Sequence, residues 1–220
     1  MSRAFADRAQ AGRLLAQRLA AARYDGPVVV LALPRGGVPI GAEVARTLGA
    51  PLDLLLVRKI GAPWQAELAV AAVVDGTPPQ TVVDESTCAL TGVSPGYIES
   101  QVAPALREIE RRRQAYLSGR RPVDVAGATV IVVDDGIATG TTMRAALKAL
   151  RLRHPRRLVL AVPVAPADTL AVLGAEVDEI VCLEQPFPFH AIGAHYVDFH
   201  QVSDDEVIAA LDAAKPPASR

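Results

Sequence analysis

Short runs of apolar residues alternate along the chain with segments whose apolar positions recur at helical spacing. Runs of strand length, rich in valine, isoleucine and leucine, occupy residues 27–34, 52–57, 128–134, 157–164 and 179–184. Helical patterns follow several of them, most clearly where the apolar run is followed by a small-residue turn. Buried strands that alternate with helices are typical of a parallel sheet covered on both faces. The pattern therefore predicts an α/β fold with a central, mainly parallel sheet flanked by helices.

The middle of the chain is less regular than the rest. Residues 60–68 contain glycine, proline and the single tryptophan, which predicts a loop that could act as a mobile lid, with the tryptophan as a packing anchor. Residues 69–74 and 81–84 have the composition of an edge strand and its hairpin partner. A long polar helix is predicted over 94–118, where Pro104 either kinks the helix or starts a second segment.

Composition narrows the class of protein. A chain of 220 residues, half of them hydrophobic, is predicted to form one domain over residues 1–220. A formal net charge of -1 argues against a nucleic-acid partner. Two cysteines without a CxxC pair argue against a disulfide scaffold or zinc site and fit a reducing cytoplasm. No apolar run approaches the ~20 residues that a membrane span requires, so we expect a cytoplasmic protein without membrane contact.

The most informative stretch is VIVVDDGIATGTTM, residues 130–143. A buried strand ends on two adjacent carboxylates, Asp134 and Asp135, which we call the acidic pair. A loop of small residues then opens a helix; this threonine loop consists of Ala138, Thr139, Gly140, Thr141 and Thr142. Free N–H groups converge at the start of a helix, and the helix dipole favours negative charge there. The loop is thus predicted to bind one phosphate monoester.

Two better-known phosphate loops do not fit the sequence. A Walker A loop requires lysine after its last glycine, whereas Gly140 is followed by Thr141. A dinucleotide-binding loop requires GxGxxG after the first strand, and that strand ends in PRGGVP. Carboxylates beside a phosphate are favourable if they accept hydrogen bonds from vicinal hydroxyls or help to hold Mg²⁺. Ribose 5-phosphate offers hydroxyls at one end and phosphate at the other.

These residues resemble the phosphoribosyl pyrophosphate (PRPP) motif of type I phosphoribosyltransferases, and in particular its adenine-type form. A group of standalone bacterial phosphoribosyltransferase-like proteins is similar from the FADR opening to the DFHQVSDDEV tail. The resemblance implies the family's fold with a small hood subdomain, placed here at 183–201 and the N-terminal helix. It also implies Mg²⁺-dependent transfer from PRPP to a nitrogenous base in a homodimer. The alternative is a PRPP-binding regulator with little catalysis.

The resemblance assigns roles to individual residues. The acidic pair, Asp134 and Asp135, would bind the ribose hydroxyls and could help to hold Mg²⁺, and the threonine loop would bind the 5-phosphate. Arg58 and Lys59 match basic residues of the family's mobile catalytic loop, which closes over pyrophosphate. The turn after the first strand matches the family's pyrophosphate loop; this glycine turn consists of Arg35, Gly36 and Gly37.

Base recognition would come from the hood. Its candidate residues are three aromatic rings that could stack on a base and one carboxylate that could accept from its N–H groups: Phe187, Phe189, Tyr196 and Asp198. Hypoxanthine-type enzymes carry an aspartate where this chain has Ala138, and they carry a lysine near the following strand that is missing here. Hypoxanthine and guanine are therefore disfavoured as acceptors. Gly136 replaces the usual apolar residue, which suggests a tighter backbone.

Overall fold

The computed structural model describes residues 5–120 and 122–214. The helices in this part of the chain are α1 (Arg8–Ala22), α2 (Gly37–Leu48), α3 (Glu85–Thr91), α4 (Pro95–Leu117), α5 (Thr141–Arg151), α6 (Ala167–Leu173) and α7 (Asp204–Ala213). The strands are β1 (Val28–Ala32), β2 (Leu52–Leu54), β3 (Val57–Ala62), β4 (Gln65–Val74), β5 (Gln80–Val83), β6 (Thr129–Val133), β7 (Arg157–Val164) and β8 (Glu179–Glu184).

Five strands form the central sheet in the order β2-β1-β6-β7-β8, and every neighbouring pair is parallel. The predicted parallel α/β fold is therefore confirmed. After β1 the chain moves to β2 on one side, whereas after β6 it moves to β7 on the other side. Open α/β sheets bind ligands at the carboxyl ends of strands where the order reverses in this way. The fold thus points to the ends of β1 and β6.

The sheet is covered on both faces, which explains the unbroken apolar run of β6. All five residues of β6 are buried, and alternate side chains of a strand enter opposite faces. Ile131 and Val133 belong to the core formed with α1, α2 and α7. Val130 and Val132 belong to the core formed with α5 and α6. Helices α2 and α5 therefore leave the two central strands on opposite faces of the sheet.

Helix α1 packs on the sheet side of the molecule through one buried face, which includes Ala11, Leu15 and Leu19. Asp7 caps its start by accepting a hydrogen bond from the backbone N–H of Gln10 at 2.7 Å. Gly12 allows a close approach to α2, because a Cβ atom there would lie 3.1 Å from the Cα atom of Ile40. The same buried face also carries a charged side chain, Arg8, which is 7% exposed.

A second, three-stranded antiparallel sheet occupies the irregular middle of the chain, in the order β3-β4-β5. The loop predicted over 60–68 is wrong, because most of these residues pair in the β3–β4 hairpin. Its turn needs only residues 63 and 64, which are the proline and the tryptophan, and the glycine, Gly61, lies within β3 at an irregularity in the β3–β4 register. Trp64 lies at this turn and is 63% exposed, so the expected packing anchor is also wrong. The predicted pairing of 69–74 with 81–84 is confirmed.

The long polar helix is continuous. Helix α4 passes through Pro104 as one element and is capped by Ser94, whose side chain accepts a hydrogen bond from the backbone N–H of Tyr97. None of the helices in the described ranges combines the length and the apolar content needed to cross a membrane.

Candidate functional site

The acidic pair and the glycine turn lie side by side at the carboxyl edge of the central sheet. The acidic pair and the glycine turn are aligned because the strands before them, β6 and β1, are paired. The N–H of Leu33 extends this pairing by donating to the carbonyl of Val133 at 3.0 Å. A Cβ atom on Gly36 would collide with the carboxylate of Asp135. One on Gly37 would lie 2.9 Å from the carbonyl of Val133. Glycine is required at both positions because the backbone passes directly against the strand end and its carboxylates.

Asp135 is held by a buried ion pair with Arg8 of α1. The guanidinium Nε lies 2.8 Å from Asp135 Oδ2, and its Nη1 donates to the carbonyl of His200 at 2.8 Å. The same group stacks over the ring of Phe199, 3.9 Å from the centroid. The Tyr196 hydroxyl donates to the backbone carbonyl of Asp135 at 2.6 Å. The second aspartate is therefore fixed by the N-terminal helix and by the segment near residue 200.

Asp134 is less completely paired than Asp135. Its Oδ1 accepts a hydrogen bond from the backbone N–H of Asp135 at 2.9 Å, and its other oxygen has no hydrogen bond within the described residues. Burial raises the pKa of Asp134 well above its usual range, and the nearby charge of Asp135 raises it further. Burial also raises the pKa of Asp135, an effect that the hydrogen bond from Arg8 opposes. A ligand that donates a hydrogen bond to the second oxygen of Asp134 would oppose the effect of burial and favour the charged carboxylate.

The threonine loop has the form predicted from the sequence, since α5 begins at Thr141. Gly140 precedes the helix with a φ of 74°, and a Cβ atom there would lie 2.8 Å from Thr169 Cγ2. The Thr169 hydroxyl of α6 donates to the carbonyl of Ala138 at 2.8 Å and fixes the loop. Because Gly140 has no side chain to cap the helix, the first N–H groups of α5 remain available to an anion.

Gly136 confirms the expected tight backbone. A Cβ atom at this position would lie 2.6 Å from Ile192 Cγ2 and 2.9 Å from Val164 Cγ1. The chain between the acidic pair and the threonine loop therefore lies directly against residues 183–201, which we call the hood candidate segment. This contact leaves no room for a larger residue at position 136.

The basic residues proposed to contact pyrophosphate lie in different places. Arg35 is directed toward α7, where its Nη1 lies 3.5 Å from Asp204 Oδ1. Arg58 and Lys59 are exposed neighbours in β3, so their side chains leave opposite faces of the strand. Lys59 lines a cleft of about 580 Å³ that also includes Thr139, Gly140 and Thr141 of the threonine loop. The sequence analysis assigned Arg58 and Lys59 the same role, whereas their side chains leave β3 on opposite faces.

The candidate base-binding residues differ in accessibility. Phe187 is fully exposed, whereas Tyr196 is 6% exposed. Tyr196 packs between two other rings, with centroid distances of 5.4 Å to Phe5 and 5.1 Å to Phe199. The suggestion that Tyr196 stacks on a ligand therefore does not fit its position, since both its ring and its hydroxyl are occupied.

The other two hood candidates are partly engaged. Phe189 stacks on His195 with a centroid distance of 5.7 Å. Asp198 accepts a hydrogen bond from the backbone N–H of His200 at 3.0 Å, and its carboxylate is exposed. Phe187 and Phe189 therefore remain the aromatic candidates in this segment.

A magnesium ion would find few protein ligands here. No group of three or more His, Cys, Asp or Glu side chains in residues 5–120 and 122–214 could hold a metal ion. Arg8 occupies Asp135, so Asp134 is the member of the pair with an uncommitted oxygen. Mg²⁺ usually keeps one or two protein carboxylates and takes its other ligands from water and substrate phosphates. The residues thus fit an ion that arrives with a phosphorylated ligand.

Comparison with known proteins identifies the family. A model of the phosphoribosyl transferase domain matches residues 6–198, which include the acidic pair, the threonine loop and the glycine turn. The chain belongs to the phosphoribosyl transferase family. The resemblance inferred from residues 130–143 is confirmed.

Two relatives and one crystal structure support this membership. Two proteins of Mycobacterium tuberculosis strains, provisionally named as phosphoribosyl transferases, are each 44% identical over 211 residues, covering 96% of this chain and 47% of theirs. The chain thus spans about half the length of these curated relatives. The crystal structure of TT1426 from Thermus thermophilus is similar with a TM-score of 0.83 and 42% identity. That likeness covers 94% of this chain and 97% of TT1426.

Two residues of this phosphoribosyl transferase domain were not found by sequence reasoning. Arg8 lies 127 positions before Asp135, and Thr169 lies 31 positions after Ala138. One signal did exist for Arg8, because it lies one helical turn before Gly12 on the face that carries Leu15 and Leu19. A cation on the apolar face of a helix requires a buried partner. Thr169 carried no comparable signal.

Proposed function

We propose that this chain transfers the phosphoribosyl group of PRPP to a nitrogenous base and releases pyrophosphate. The observation that carries the proposal is the meeting of three features at one edge of the sheet. These are the acidic pair, the threonine loop at the start of α5, and the glycine turn at the start of α2. Together they offer hydrogen-bond acceptors for a sugar between two sets of donors for phosphate groups.

The acidic pair would bind the ribose. Asp134 is partly buried, and one of its oxygens has no hydrogen bond among the described residues. A desolvated carboxylate with few hydrogen bonds is costly, so hydroxyl donors from a ligand would stabilise its charged form. Vicinal ribose hydroxyls provide such donors. Asp135, held by Arg8, would set the orientation of this part of the backbone.

The threonine loop would bind the 5-phosphate. Free N–H groups of the first turn of α5 and the hydroxyls of Thr139 and Thr141 are suited to a phosphate monoester. Thr169 holds the loop through Ala138, so the loop is organised before the ligand arrives. Preorganised donors avoid the cost of ordering the loop on binding.

The glycine turn would receive the leaving pyrophosphate. Gly36 is the N-cap of α2. The N–H groups of Gly37 and Val38 already donate to the backbone carbonyls of residues 33 and 35, so the turn would offer the N–H groups of Arg35 and Gly36. Negative charge grows on pyrophosphate as its bond to the sugar breaks, and donors aimed at that charge stabilise the transition state. Arg35 would contribute a cation by turning from Asp204, which it contacts at 3.5 Å. Mg²⁺, when bound, would neutralise part of the pyrophosphate charge, with Asp134 as its protein ligand.

The test is an assay for pyrophosphate release from PRPP in the presence of Mg²⁺ and a panel of nitrogenous bases. We expect release with at least one base and its loss in Asp134→Asn. Asp205→Asn, which changes an exposed carboxylate in the first turn of α7, serves as the matched control and should retain the wild-type rate.

Two other results would change the proposal. Tight PRPP binding without turnover on any base would indicate a PRPP-binding regulator. If PRPP leaves the melting temperature of the wild-type protein unchanged, the donor assignment itself is incorrect.

A further inference from the structure

A cleft separates the three-stranded sheet from α5. Its volume of about 580 Å³ lies within the range of small-molecule pockets, ~300–1,000 Å³. Strands β4 and β5 form one wall with small apolar side chains, including Ala69, Ala72 and Val82. Helices α5 and α6 form the opposite wall. Residues 139–141 of the threonine loop reach the cleft, so it is continuous with the proposed 5-phosphate site.

Three cations line this cleft from two directions. Arg144 and Lys148 belong to α5 and share one carboxylate, with distances of 3.5 Å and 3.8 Å to Glu176 Oε1. Lys59 enters from β3 in the three-stranded sheet, and its Nζ lies 3.9 Å from Glu67 Oε2. The Glu67 side chain is 92% exposed, and a pair this long and solvated contributes little. Lys59 is therefore easily released to bind an anion.

Two carboxylates also line the cleft, and one of them is committed to local structure. Asp84 caps α3 by accepting a hydrogen bond from the backbone N–H of Thr87 at 3.1 Å, and it also accepts from the Ser86 hydroxyl. The hydrogen bond from Ser86 and the capping bond lower the pKa of Asp84. Glu85 follows in the first turn of α3, where the helix dipole favours its charge. These groups stabilise α3 and leave Lys59 available.

We propose that Lys59 binds the 5-phosphate end of the sugar, opposite the threonine loop, and not the leaving pyrophosphate. This inference rests on the proposed function. Lys59 and residues 139–141 line the same cleft, whereas Arg35, Gly36 and Gly37 are not among the described residues that line it. The three-stranded sheet would thereby form a wall against the phosphate of the donor.

The lysine is suited to this role because its flexible four-carbon stem can carry a point charge from the strand to the loop. The threonine loop supplies neutral donors only, so a cation opposite it would offset part of the charge of a phosphate dianion and form a charge-assisted hydrogen bond with it. Selectivity for 5-phosphorylated over unphosphorylated ribose would then depend on the three-stranded sheet.

The test measures binding of ribose 5-phosphate and of pyrophosphate with Mg²⁺ separately, by titration calorimetry on the full chain. In Lys59→Met we expect ribose 5-phosphate to bind about tenfold more weakly, since a charge-assisted hydrogen bond is lost. Pyrophosphate affinity should stay within about twofold. Lys59→Arg should retain most of the ribose 5-phosphate affinity. Arg111→Met removes an exposed charge of α4 and should change neither affinity.

The outcomes separate this inference from the proposed function. Weaker pyrophosphate binding with unchanged ribose 5-phosphate binding in Lys59→Met would overturn the inference and leave the proposed function intact. Unchanged affinity for both ligands would overturn it as well. If the wild-type protein binds neither ligand, the proposed function and the inference both fail. An unaltered melting temperature of each variant establishes that it has folded.

Discussion

Arg8 should be essential for the stability of the domain, although it was not expected to contact the site. We consider Arg8→Gln, which removes the charge and keeps a polar side chain of moderate length. Arg8 and Asp135 are only 7% and 8% exposed, and their ion pair measures 2.8 Å. The substitution would leave the Asp135 carboxylate buried without its cation and the carbonyl of His200 without its donor.

The magnitude follows from these contacts. Breaking a buried ion pair by removing one partner costs about 3–5 kcal/mol. For a chain of this size each kcal/mol lowers the melting temperature by roughly 2–4 °C, so we expect a decrease of roughly 6–20 °C. The matched control is Arg13→Gln on the same helix. Arg13 is half exposed and lies 3.6 Å from Glu43, so its loss should cost at most ~1 kcal/mol.

Thermal unfolding of the two variants provides the assay. Adding Asp135→Asn to Arg8→Gln should recover part of the lost stability, because no unpaired charge then remains buried. The reasoning is refuted if Arg8→Gln lowers the melting temperature no more than Arg13→Gln. It is also refuted if the double substitution simply adds the two separate losses.

Three further predictions concern other parts of the site. Gly136→Ala should destabilise the domain by about 1–3 kcal/mol, since its methyl group would press on the neighbouring isoleucine and valine. Gly96→Ala, at a helical position with no atom within 4 Å of the added methyl group, should be neutral or stabilising. Denaturant titration of both variants measures their free energies of unfolding. Thr169→Val should weaken binding of ribose 5-phosphate in calorimetry because the threonine loop loses its fixing hydrogen bond, while stability falls by only about 1 kcal/mol; an unchanged affinity would contradict this. His200 has a raised pKa, because the hydrogen bond with Glu206 and that with a neighbouring aspartate favour its charged form. The contribution of charged His200 to stability is therefore fully present below about pH 6.5, the pKa of an unfolded histidine. It is lost as the pH rises through the higher pKa of His200 in the folded state. His200→Gln should accordingly lower the melting temperature at pH 6 and much less at pH 9, and an equal loss at both would exclude the charged pair.

The parts of the fold that are determined locally were predictable from the sequence. Helix α5 begins at Thr141, as the threonine loop predicted, because a strand of β-branched residues followed by small residues has few other arrangements. The parallel order of the central sheet followed from the alternation of strands and helices. The separate three-stranded sheet was not predicted as a unit. Its first strand contains two exposed cations and glycine, so its composition alone does not mark it as a strand.

The parts of the site that depend on distant contacts were not predictable. Sequence reasoning located both aspartates but gave them equal roles, whereas the structure distinguishes them. Asp135 is bound by Arg8, and Asp134 retains an oxygen for a ligand. The difference arises from a contact across 127 positions, which no local pattern encodes.

The same guanidinium also connects the proposed ribose site to the hood candidate segment. Arg8 binds Asp135 through Nε and the carbonyl of His200 through Nη1, so the two positions share one rigid planar group. Tyr196 strengthens this connection by donating to the backbone of Asp135. Because these contacts bury Tyr196, the side chains left to meet an acceptor base in this segment are the exposed Phe187 and the stacked Phe189. Loss of Arg8 should therefore displace the proposed base-binding side as well as the proposed ribose-binding side, and the two effects should appear together.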